Sequence, residues 1–101
     1  MHNDIHRQLK NLEEQHVRAV RGLENLTRSL GHVQAARGEL AALSNTGEAS
    51  APLHDLRRQL GSIEEALREE VSRTQGYILD IELEQDSLRR RLQGEASPEH
   101  S

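Results

Sequence analysis

Apolar residues recur along the first half of the chain at Ile5, Leu9, Leu12, Ala19, Leu23, Leu26, Leu30, Val33 and Leu40, and His16 and Arg37 fill the two gaps. The steps alternate four and three over about five heptads, a period that turns one stripe of a helix toward a partner helix. Asn3 or Asp4 can accept from the first free backbone amides and start the helix, and Ser44, Asn45, Thr46 and Gly47 offer a stop. The pattern therefore predicts a short N-terminal end at 1–3 and a first coiled-coil helix over 4–43.

Residues 44–52 (SNTGEASAP) are small and polar and include a glycine and a proline, which predicts a loop. The stripe then resumes at Leu53, Leu56, Leu60, Ile63, Leu67, Val71, Thr74, Ile78, Ile81, Gln85, Leu88 and Leu92, predicting a second helix over 53–93. Leu67 to Val71 is a step of four after a step of four, a stutter expected to relax the supercoil locally. Gly94 is the expected helix stop, and 94–101 the expected disordered tail.

The two stripes fit one antiparallel register. Ile5 faces Leu92, Leu9 faces Leu88, Leu12 faces Gln85, His16 faces Ile81, Ala19 faces Ile78, Leu23 faces Thr74, Leu26 faces Val71 and Leu30 faces Leu67, each pair of numbers adding to 97. Beyond the stutter, Val33 with Ile63, Arg37 with Leu60 and Leu40 with Leu56 keep the match to within one residue. The expected fold is all-α: an antiparallel two-helix coiled-coil hairpin. Two helices leave one side of their seam uncovered, so completion into a helical bundle by oligomerisation or by a partner is expected.

Composition narrows the function classes. Tyr77 is the one aromatic of 101 residues, so the chain lacks the side chains that usually build a globular core with a ligand pocket. Zero cysteines remove disulfides, thiolate zinc sites and thiol catalysis. No nucleotide-binding glycine loop, paired-histidine metalloprotease motif or calcium loop is present, and an enzyme is not expected. His2 and His6 share a helix face but have no third ligand, so no metal site is assigned and no cofactor is expected. No run approaches the roughly 18 apolar residues of a membrane span, and no charged region followed by an apolar stretch opens the chain. The cytoplasm is the default compartment.

Three groups of residues are candidates for function. Val17, Val20, Tyr77, Leu79 and Leu83 lie off the main stripe at matching heights and are the expected protein-interaction patch. His16, Arg37, Thr74 and Gln85 are polar members of the seam that set register, and Arg37 can extend its guanidinium toward Glu64. A second role for His16, as an acid-sensitive element of an apolar layer, is an alternative reading. Arg7, Lys10, Arg89, Arg90 and Arg91 form a candidate basic docking end, whereas Glu64, Glu65, Glu69 and Glu70, then Asp80, Glu82, Glu84 and Asp86, make the rest of the second helix acidic. With a net charge of −4 and no stacking aromatics beyond Tyr77, nucleic acid is the less favoured partner.

The leading expectation is a noncatalytic coiled-coil assembly protein, a structural component or scaffold subunit of a larger helical complex, whose partner is itself or another helical protein. The alternative is a small acidic chaperone or adaptor that covers a client helix. The predicted hairpin is similar in length and shape to the small secreted proteins of the WXG type. It has no Trp-x-Gly turn and no tryptophan, and is not assigned to that family.

Overall fold

The computed structural model describes the backbone of residues 2–45 and 51–96 and the side chains of 4–44 and 51–94. Two long helices, α1 (His2–Asn45) and α2 (Ala51–Ala96), make an all-α hairpin, and there is no strand among the described residues. Both helices exceed their expected limits. α1 begins two residues early, with Asp4 placed in its first turn where a carboxylate meets the positive end of the helix dipole. α2 begins at Ala51 because Pro52 falls in the first turn, where no backbone donor is required and the fixed φ suits the helix. Gly94 does not stop α2, which runs on to Ala96. Of the expected loop and tail, 46–50 and 97–101 lie outside the described residues.

Local pairs along each helix support the backbone. Arg68 with Glu64 and Arg90 with Asp86 are spaced i, i+4, and Arg58 with Asp55 and Arg73 with Glu70 are spaced i, i+3. The three pairs other than Arg68–Glu64 have both partners exposed, and pairs of that kind contribute about 0.2–0.5 kcal/mol each. Thr27 and Ser44 return their hydroxyl donors to the carbonyls of Leu23 and Leu40 four residues back, so neither competes with the helix for a backbone amide.

Contacts divide the chain into two compact units. Residues 1–22 and 74–101 form the first. Its core is the expected seam: Ile5, Ala19, Ile81 and Leu88 are buried, together with the amide-bearing Gln85. Leu9, Leu12, Ile78 and Leu92 are half-buried beside them. Among the described residues no buried side-chain nitrogen or oxygen lacks a hydrogen-bond partner.

Residues 23–73 form the second unit, and here the stripe of α2 differs from the expected one. Ile63 and Leu56, expected in the seam, are 47% and 43% exposed. Their neighbour Glu64 is instead the covered residue, with its side chain only 13% exposed. The half-buried stripe is Leu53, Leu60, Glu64, Leu67 and Val71, and Arg57, itself exposed, occupies the position that keeps the steps at four and three with no stutter. In that register Val33 faces Glu64 and Leu40 faces Arg57, and these pairs also add to 97. Two cross-helix hydrogen bonds join residues one turn beyond the facing pairs: Arg37 Nη1 donates to Glu64 Oε1 at 3.0 Å, and Arg57 Nη1 donates to Ser44 Oγ at 3.4 Å. The physical reason is a trade. A constant register keeps α2 regular, and the glutamate it brings inward meets two guanidinium groups, while two aliphatic residues are left facing water.

Candidate interaction surfaces

Within the first unit the five expected patch residues are exposed or half-exposed, but they do not share one face. Tyr77 donates its hydroxyl to Gln15 Oε1 at 3.4 Å, and His16 Nε2 lies 3.1 Å from Glu82 Oε2. At about 100° per residue, Gln15 and Val17 lie on opposite sides of His16, so Tyr77 marks one flank of the seam and Glu82 the other. Val17 and Val20 belong to the Glu82 flank. Leu79 and Leu83, one turn apart, project from the outer face of α2 and are 55% and 60% exposed. The strongest apolar feature of this unit is therefore the Leu79–Leu83 pair, with Val17 and Val20 as a separate, smaller one.

Two shallow depressions lie in this unit. One surrounds Val17 and is lined by Lys10, Glu13, Glu14, Arg18 and Arg21. The other is lined by Gln8, Asn11, Leu12, Glu84 and Leu88. Both are open to solvent, a geometry suited to contact with a side chain of another protein and unsuited to excluding water around a reacting group.

The polar seam residues each acquire a definite setting. Gln85 is buried, and Thr74 is half-buried. His16 is not enclosed in an apolar layer as its seam position suggests: it is half-covered and hydrogen-bonded to Glu82 across the helices. Arg37 reaches Glu64 as the sequence register implies, and its guanidinium lies over Gly61, 3.9 Å from where a Cβ would sit. Arg68 closes on the other side of Glu64, with Nη2 at 3.0 Å from Oε2. The hydrogen bond from Arg37, followed by that from Arg68 and the attraction of both charges, outweighs partial burial and holds the Glu64 carboxyl below its ordinary value of 4.5.

Arg7, Lys10, Arg89, Arg90 and Arg91 are all exposed. Arg90 is engaged by Asp86, and Lys10 stands beside Glu13 and Glu14, so the basic end is interleaved with carboxylates. The side chain of His2 lies outside the described residues. Among the described residues no group of three histidine or carboxylate side chains is placed to hold a metal ion, and no helix is long and apolar enough to cross a membrane.

The second unit has an exposed aliphatic surface of its own, made by residues expected in its seam. Leu56 and Ile63, seven residues apart on one side of α2, are exposed there, as is Leu43 near the end of α1. The signal that finds them is the constant sum of 97: extended without a stutter, it places both α2 residues one position outside the seam. The chain matches no protein family, no curated protein and no solved structure.

Proposed function

We propose that the chain is a noncatalytic coiled-coil assembly protein, a structural component or subunit of a larger helical complex that acts by self-association or by docking a partner helix. The observation that carries this reading is the exposure of Leu79 and Leu83 one turn apart on a helix whose own seam is already occupied. Contiguous aliphatic pairs on a regular helix are the contacts by which a further helix is added to a bundle.

The thin core of the second unit favours the partner-helix form of the same reading. Leu40 is its one buried hydrophobic residue among those described, and the remaining seam aliphatics are half-exposed or exposed. A helix laid along that unit would supply burial the hairpin lacks.

Leu79→Asp combined with Leu83→Asp tests the proposal. The variant is expected to lose association in light scattering while keeping its helical circular dichroism, since both residues lie outside the seam. Retention of the wild-type mass by a helical double variant would remove this face from the account.

A further inference from the structure

The second unit contains two alternative seams on α2. One is Leu53, Arg57, Leu60, Glu64 and Leu67, which the fold uses; the other is Leu53, Leu56, Leu60, Ile63 and Leu67, which is wholly aliphatic. Three residues are common to both. At about 100° per residue their mean directions differ by about 40°, a small rotation about the helix axis. Hydrophobic burial alone would select the aliphatic seam, because it covers two large side chains that now face water and releases a carboxylate.

The observed seam is held by the cluster around Glu64. The charged groups that meet this carboxylate are Arg37 from α1 and Arg68 from α2 itself, at 3.0 Å each. The Arg37 guanidinium crosses α2 beside Gly61 to reach it, at ordinary van der Waals distance from where a Cβ would sit. Such a pair is strongly directional and ties one rotational setting of α2 to one position on α1.

We infer that Arg37, Glu64 and Arg68 form an ionic latch that keeps α2 of this unit rotated so that Leu56 and Ile63 are displayed, and that opening the latch turns both residues into the seam. The device goes beyond assembly as such: it controls whether an aliphatic surface is offered. Latched, the unit presents Leu56 and Ile63; unlatched, it withdraws them and sends Glu64 outward. Neutralising the Glu64 carboxylate or removing the Arg37 guanidinium opens it, because each breaks the tie between Glu64 and α1; without Arg37 the carboxylate keeps only Arg68 of its own helix, which holds no rotational setting against α1.

The chain has no cysteine, so single thiols report this rotation cleanly. Leu56→Cys and, in a separate protein, Arg57→Cys are labelled with a thiol reagent in three backgrounds: otherwise wild type, Arg37→Leu and Glu64→Gln. The rotation moves position 56 toward the seam and position 57 away from it. Labelling at 56 is expected to slow by about tenfold in both altered backgrounds while labelling at 57, where the side chain is already exposed, does not slow, with helical circular dichroism retained. Unchanged rates at both positions overturn the latch. So does slowing at 56 that depends on protein concentration, which would report a second molecule covering the site. Equal acceleration at 56 and 57 would report local unfolding and also overturns it. Should Arg37→Leu fail to fold, the Glu64→Gln background decides alone.

Discussion

Truncating Ile63 to alanine separates the two possible registers of the second unit by the size of the stability loss. Ile63 is 47% exposed, so about half of its side-chain burial is at stake. Complete burial of an isoleucine side chain contributes about 1.5–3 kcal/mol, which puts the half-buried residue near 1 kcal/mol. Little is added for a cavity, because water can enter a site that already opens to solvent. In the seam of this unit, where the aliphatic side chains other than Leu40 are half-buried, the same truncation would cost about 2 kcal/mol, the low end of the range for core truncations. Leu88→Ala supplies the internal standard: that residue is 1% exposed and belongs in the larger class. Urea unfolding followed by far-ultraviolet circular dichroism at one fixed protein concentration measures both. The register is refuted if Ile63→Ala loses about 2 kcal/mol or more, reaching the range of the Leu88→Ala standard.

His16→Leu is expected to raise the urea midpoint, since Glu82 is more than half exposed and can return to water while the new aliphatic side chain joins the layer of Ile81; a lowered midpoint would show that the hydrogen bond to Glu82 outweighs packing. Glu64 imposes an acid dependence of known sign. Its folded-state value lies below the ordinary 4.5, so its contribution is fully present above pH 4.5 and is lost as the pH falls through the lower folded-state value. Glu64→Gln should therefore flatten the part of the acid unfolding curve below pH 4.5, and an identical curve in the variant would remove the ion pair from the stability of the fold.

Much of the architecture could be read from the spacing of leucines. A heptad alternation survives polar interruptions such as His16 and Arg37 because helix geometry, not the identity of every residue, sets the period. Between Ile63 and Glu64, constant spacing and hydropathy give opposite answers. Ranking positions by hydropathy selects Ile63 and introduces a stutter, whereas the regular helix selects Glu64; the reach of Arg37 and the i, i+4 spacing of Arg68 are both legible, but not that together they outweigh two exposed aliphatic side chains. The candidate patch failed to hold together for a related reason. Matching height along the hairpin brought Tyr77 close to Val20 on paper, but height says nothing about flank, and the hydrogen bond from Tyr77 to Gln15 places it on the other side of the seam. The position of Pro52 illustrates a narrower point: the residue that forbids a helix interior is well accommodated in a first turn.

Assembly is the central claim, and the mass of the chain in solution across a concentration series, measured by light scattering alongside helical circular dichroism, tests it most directly. The account predicts a mass above that of a single chain that rises to a plateau with concentration, or a weakly helical single chain whose helicity increases when a partner helix is supplied. A single chain that is fully helical and unfolds cooperatively at every concentration would contradict it, because the Leu79 and Leu83 face would then be ordinary surface and the hairpin complete by itself.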